Sequence, residues 1–235
     1  MMTGYFENGM RWLRNATFGV ALALFSTLPA QAETNMESYQ YGGLDRDWSA
    51  RLLIDTEIYG RDGQRLGEVN DMIVDRSGRV AAVVLEVGDL NDLGADDGMT
   101  HIRIPWDQVE LDPKLRGINV VMNVETLPDD SLFLPNAVPV AEDEWRARNA
   151  LGDTLLTRER AAYGEVSDLI ISGTGQMEAV LIQPMENLTH PEIVAYPYQS
   201  FMEAWTPEDI AHRLPHSLEE LGKLPRFNRD RLLNS

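Results

Sequence analysis

The sequence predicts a mainly β protein: tandem small antiparallel β-barrels, joined by a short linker helix and followed by a helical tail. Three observations predict it. Short β-branched runs are separated by glycine turns, as the strands of a small sheet require. One hairpin recurs further along the chain in unbroken register. The 235 residues include no cysteine, so packing alone must hold the fold, without disulfides or thiolate metal sites.

The chain opens on an address. Arg11 and Arg14 precede an apolar run from Ala16 to Phe25, followed by Pro29 and the small residues Ala30 and Ala32. That order is the order of a secretory signal, and the apolar core is about half of the roughly 20 residues a spanning helix needs. An uncleaved amphipathic anchor is the alternative, but Pro29 and Ala30-Gln31-Ala32 suit a peptidase better. Residues 1–32 are expected to be a signal peptide removed before Glu33, with the mature protein in the periplasm of a Gram-negative bacterium and no membrane span after cleavage. Residues 33–50, polar and rich in Tyr and Gly, read as a flexible leader.

Residues 51–125 form the first unit. Leu53–Tyr59 is strand-like, and Gly60-Arg61-Asp62-Gly63 is a turn whose Asp-Gly pair tolerates positive φ. Leu66–Asp75 and Arg79–Val87 flank the turn Arg76-Ser77-Gly78 and make a hairpin. A strand at His101–Ile104 ends on Pro105-Trp106. A further strand, Gly117–Val124, alternates Ile118, Val120, Met122 and Val124 with Asn119 and Asn123. Residues 126–150 are a Pro-punctuated linker whose last part, Glu142–Ala150, is expected to be a short helix carrying Trp145.

Residues 151–204 form the second unit. Gly164-Glu165-Val166-Ser167-Asp168 repeats Gly67-Glu68-Val69-Asn70-Asp71 at an offset of 97, and the register holds through Gly175 on Gly78 and Val180 on Val83. Pro197-Tyr198 echoes Pro105-Trp106 after a loop five residues shorter. Thr157-Arg158-Glu159-Arg160 stands where the first copy has its Asp-Gly turn, which leaves the second copy's first hairpin open. Gly67 and Gly164 open the long strand, where a missing side chain lets a small barrel bend. Asp71 and Asp168 read as outward strand residues or turn-stabilising acceptors, with a partner contact as the alternative. Residues 205–235 are a helical, partly basic tail. Thr206-Pro207-Glu208-Asp209 supplies a cap, a first-turn proline and acids at the positive end of a helix. Lys223, Arg226, Arg229 and Arg231 give it its charge.

The strand, Asp-Gly turn, Leu66-Gly-Glu-Val-Asn-Asp-Met-Ile-Val-Asp75, Gly78 turn, apolar strand and Ile104-Pro105-Trp106 together resemble the PRC-barrel family. The first copy carries the pattern over Ile54–Val109 and the second over about Leu151–Phe201. The resemblance implies small, strongly bent barrels that serve as assembly and docking modules. Relatives such as the H subunit of photosynthetic reaction centres work in the cytoplasm, so neither ribosome binding nor a quinone role transfers to a chain with an export signal.

Charge narrows the partners. With 38 acidic residues against 20 basic, a net charge of −18 repels nucleic acid, whose affinity comes from Lys and Arg displacing counterions. The chemistry visible in the sequence is thin. There is no Gly-x-Ser-x-Gly and no phosphate loop, and among so many carboxylates no catalytic pair stands out. His212 and His216 have helical spacing, but Pro215 interrupts them and no Glu completes a zinc motif; His101 and His190 stand alone. No catalytic residue and no cofactor is assigned. The acidic loop of Asp89, Asn91, Asp92, Asp96 and Asp97 begins like a calcium loop, yet Leu93 takes the third ligand's place and Thr100 that of the closing Glu. It reads as a solvated loop, a divalent-cation site, or a protein-docking loop using Asp89, Asp92, Asp96 and Asp97. The expectation is an exported, non-enzymatic docking or assembly protein that binds a periplasmic or membrane-associated protein. A calcium-responsive module and an enzyme with a site hidden from the sequence are the alternatives.

Overall fold

The chain lays down its strands in two runs that share an arm, a short first strand, a long hairpin and an edge strand in the same order. A computed structural model describes residues 47–87, 100–112, 117–121, 134–135, 138–186, 188, 192–207 and 209–228. The first run is β1 (Trp48–Ser49), α1 (Ala50–Leu53), β2 (Glu57–Tyr59), β3 (Arg65–Asp75), β4 (Val80–Val87), β5 (Thr100–Pro105), a 3-10 turn at Trp106–Gln108, β6 (Val109–Asp112), β7 (Gly117–Val120) and β8 (Leu134–Pro135). The second is β9 (Glu144–Arg146), α2 (Ala147–Ala150), β10 (Thr154–Leu156), β11 (Ala162–Ile171), β12 (Met177–Pro184), β13 (Val194–Pro197), α3 (Tyr198–Met202), β14 (Ala211–Arg213) and α4 (Leu218–Leu221). The protein is mainly β. One sheet runs β6-β7-β2-β3-β4-β5-β8 and the other β13-β12-β11-β10-β14.

The repeat survives at the level of hydrogen-bond register. Glu68 faces Glu86 as Glu165 faces Gln183, and Met72 faces Val83 as Leu169 faces Val180. The ladder slips between Val69 and Asp71 and between Ile73 and Val74, and at the same two places in β11. Such bulges bend a strand and increase its twist, which lets one long strand serve both sides of a small barrel. At Gly67 an added Cβ would lie 2.2 Å from the Glu86 carbonyl oxygen, and at Gly164 2.4 Å from that of Gln183. The glycines are there because a neighbouring backbone occupies the side-chain position. Ala82 faces Pro105 and Ala179 faces Pro197, so the shortened loop of the second copy leaves the edge strand in register.

The two units exchange their first strands. β1 pairs with β11 of the second unit, Trp48 on Ile171, while β9 pairs with β3 of the first, Trp145 on Val74. Between them runs a local two-fold: Val80 N–H donates to Gly175 O at 2.8 Å and Met177 N–H to Gly78 O at 2.7 Å, with Arg79 bridging Gln176. Gly78 and Gly175 have φ of +83° and +85°, and a Cβ on either would strike the aromatic ring of the other unit, Tyr198 and Trp106 respectively. One apolar core spans both units. It includes Met72, Leu85 and Ile104 of the first, Leu169, Val180 and Phe201 of the second, and the exchanged Leu53 and Trp145. Trp145 packs on Trp205 with ring centroids 4.6 Å apart.

Several expectations change. The second unit's first hairpin does form: Arg160 takes φ +67° where Gly63 has +76°, and β10 pairs with β11. Glu142–Ala150 is not one helix, because Ile73–Asp75 lie beyond the reach of β2 and recruit Glu144–Arg146 as a strand; only Ala147–Ala150 is helical. The leader expected over 33–50 ends sooner, since Trp48–Ser49 and Ala50 belong to the exchanged arm. The tail is not helical from Thr206. Ala211–Arg213 pairs in parallel with β10, as Gly117–Val120 supplies β7 beside β2, and this edge outweighs local helix signals. Ile118 and Val120 are buried as the alternation requires, Met122 and Val124 of the expected strand lie outside the described residues, and β6 is a strand the pattern does not announce.

Candidate docking face

Side chains alternate across a strand, so β3, β4 and β5 each send every second residue to the outer surface. In the first unit the ladder puts Glu68 beside Glu86 and Glu86 beside His101, and it puts Glu57 of β2 beside Glu68. The result is a row of three carboxylates and one imidazole running across four strands. Asn70, the bulged residue of β3, donates its side-chain amide to Glu86 Oε2 at 2.7 Å, and His101 Nε2 lies 3.5 Å from the same oxygen. His101 Nδ1 is buried and has no hydrogen-bond partner among the described residues.

At the other end of the row, Arg65 Nε reaches Glu57 Oε1 at 2.9 Å, and its guanidinium also meets Glu68. Tyr59 donates to Glu57 at 2.5 Å. That hydroxyl, and then Arg65, hold the Glu57 carboxyl below its usual range. One arginine against three carboxylates leaves the row acidic. Further out, Arg103 clamps Glu144 with two bonds of 2.8 and 2.6 Å, which lowers the pKa of Glu144 and neutralises that part of the face.

The matching surface of the second unit has Glu165, Ser167 and Gln183, then Ile193 and Ala195 where the first has His101 and Arg103. Ile170, Ala179, Leu181 and Ala195 form a small apolar cluster there, with Ile193 and Phe227 against it. The equivalent cluster of the first unit is Ile73, Ala82 and Val84 under Val138 and Val140. Two barrels with one wiring therefore present different chemistry.

The expected docking and cation residues Asp89, Asn91, Asp92, Asp96 and Asp97 lie outside the described residues, as does His190. The last described pair of the β4–β5 ladder, Val87 on Thr100, puts the root of their loop beside Glu86 and His101. Among the described residues no group of three or more His, Asp or Glu could hold a metal ion. Strand alternation in the sequence already held the signal for Glu57, Glu68 and Glu86, but without register it did not show them side by side.

Asp71 and Asp168 are neither outward residues nor turn acceptors. Both are buried, and each takes the start of the other unit's exchanged helix. Asp168 accepts from Ser49 Oγ at 2.5 Å and from Arg51 N at 3.0 Å; Asp71 accepts from Arg148 N at 3.1 Å and lies 3.4 Å from Arg146. Burial raises the pKa of Asp71, against the pull of those donors. The contact they make is internal. His212 and His216 part company. His212 Nε2 sits 2.8 Å from Asp153 inside the second barrel, where Asp153 also accepts from Trp205 Nε1 at 3.1 Å. His216 Nδ1 meets the Tyr196 hydroxyl at 2.9 Å. Thr206 N–H donates to His212 Nδ1 at 3.4 Å.

No curated protein sequence matches this one. Among solved structures it is similar to one described as a putative 16S ribosomal RNA processing protein, RimM, of Pseudomonas aeruginosa. The two share 11% identity over 64% of this chain and 98% of the other, with a TM-score of 0.25. Residues 48–124 match the PRC-barrel domain family, and the match runs from the exchanged arm through the first sheet. The likeness of the second unit rests on its strand register alone. The segment 48–124 of this chain is a PRC-barrel domain.

Proposed function

We propose that the chain is an exported, non-enzymatic docking protein whose first unit binds a basic segment of a periplasmic or membrane-associated protein. The observation that carries the reading is the row Glu57–Glu68–Glu86 on a rigid sheet, where one arginine faces three carboxylates. PRC-barrel modules mediate protein interactions, and the chain's surplus of acid gives such a face long reach. The charged, apolar and small residues at 11–32 support export. No helix among the described residues is long and apolar enough to cross a membrane.

The test compares the mature protein with a Glu57→Gln/Glu68→Gln/Glu86→Gln variant as bait for periplasmic extract at low and high salt. Docking through this face predicts a protein retained by the parent at low salt, released as salt screens the contact, and lost from the variant. Equal retention by parent and variant refutes the face. A cation-responsive reading, favoured by Glu86 and His101 at the root of the acidic loop, instead predicts that calcium raises the melting temperature of the parent. Export predicts an intact mass that begins at Glu33; a product that retains Phe25 refutes it.

A further inference from the structure

Both units carry an extended stretch of the chain's own backbone along the same edge and over the same outer patch. In the first, Leu134 and Pro135 pair with His101 and Thr100, and Val138 then lies over Ile73, Ala82 and Val84. In the second, Arg226 bridges Val194, Phe227 N–H donates to Ile193 O at 2.8 Å, and Phe227 packs against the cluster of Ile170, Ala179, Leu181 and Ala195. Ile193 corresponds to His101 and Val194 to Ile102, so the two stretches begin within one residue of each other on the edge strand and both run antiparallel to it. Adding a strand to an exposed edge, with a side chain in a pocket beside it, is a standard way for a domain to hold a peptide.

The two occupants are held unequally. Val138 is 2% exposed, whereas Phe227 is only partly buried. Arg226 approaches Glu192 at 4.0 Å, but the two side chains are 34% and 59% exposed, so the pair adds little. The core anchor of this stretch is Leu224, followed at once by Pro225. Directly after that proline, Arg226 and Phe227 are held by one partly buried ring, one exposed ion pair and a short ladder.

We propose that this edge of the second unit is a peptide-docking site, filled in this structure by Arg226–Asn228 and opened to an extended partner segment that carries an aromatic residue directly after a basic one. The patch of Ile170, Ala179, Leu181 and Ala195 takes the aromatic ring and supplies most of the hold, with Glu192 beside the basic residue. The chain's own stretch acts as a resident competitor. The site lies on the other unit from the acidic row, so either can fail while the other stands.

The test uses the whole chain and a labelled peptide with the sequence of residues 225–235. Phe227→Asp should free the edge, and the peptide should then bind at least about tenfold tighter than to the parent. A peptide with alanine in place of the phenylalanine should not bind. A Phe227→Asp protein that melts like the parent and yet ignores the peptide overturns the proposal. So does a variant that fails to fold, since the stretch would then belong to the core. Hydrogen exchange on the parent decides independently: the Phe227 amide should exchange far faster than that of Ile182, and equal protection overturns the proposal.

Discussion

The carboxylate of Asp168 accepts the backbone N–H of Arg51 at 3.0 Å although 117 residues separate them in sequence. Asp71 does the same for Arg148 across 77. Each unit caps a helix that belongs to the other, and the caps are the polar counterpart of the exchanged strands. Asp168→Ala leaves the buried Ser49 hydroxyl, and Asp71→Ala the buried Met72 N–H, without its carboxylate acceptor, and each should destabilise the protein by about 1–3 kcal/mol in urea titrations. Asparagine retains an acceptor oxygen and should lose less. A wild-type midpoint in either alanine variant means that the caps contribute nothing.

Gly67→Val and Gly164→Val should be destabilising to a similar degree, roughly 1–3 kcal/mol, because each drives a side chain into a strand carbonyl already within 2.4 Å of the Cβ position. Thermal melts of the two variants check this. A large loss in one and none in the other means that the bends are not equivalent.

The two units should unfold together. Their shared core and reciprocal strands leave neither with a complete sheet of its own, and a piece of about 60 residues buries too little surface to be robust alone. Fluorescence from the Trp145–Trp205 pair, which reports the join, should lose its native signal at the same urea concentration as far-ultraviolet circular dichroism. Two separated transitions rule this out.

Acidity should tighten the exchanged arm. Burial, and then the charge of Glu178, raise the Asp47 carboxyl to about 6. The folded state then binds a proton more tightly than the unfolded chain, whose Asp titrates near ~3.9, so the folded state holds more protons between those values. Stability therefore falls as pH rises from about 4 to about 6, and Asp47→Asn should flatten that part of a melting-temperature profile. An unchanged slope in the variant assigns the dependence to other groups.

Much of the fold was legible in the sequence because the repeat kept its glycines. Gly67, Gly78, Gly164 and Gly175 sit where backbones or rings of other strands press, and no other residue fits, so they mark the hairpins in both copies. The partners of the arms were not legible. Nothing local in Trp48-Ser49 or Trp145-Arg146 says that each pairs with the far unit; that follows from the unpaired outer part of β3 and β11, a tertiary fact. The segment after Thr206 misled for a related reason. Its cap and proline are sound helix signals, but the edge of β10 offers backbone bonds and an interior place for His212, buried beside Asp153. The acidic row escaped notice because Glu57, Glu68 and Glu86 are scattered in sequence and become neighbours only through strand register.

The exchange of first strands also fixes an order of events in synthesis. The arm at Trp48 is among the earliest parts of the barrels to be made, yet its strand is not complete until Ile171 has been added. Until then the apolar face of α1, with Leu53, has nothing to cover it, and the outer half of β3 stays open until Glu144–Arg146 have been made. Contacts so distant in sequence form slowly, and open edges are where chains stick to one another. During that interval a holding chaperone competes with aggregation, and the yield of folded protein should depend on which of them arrives first.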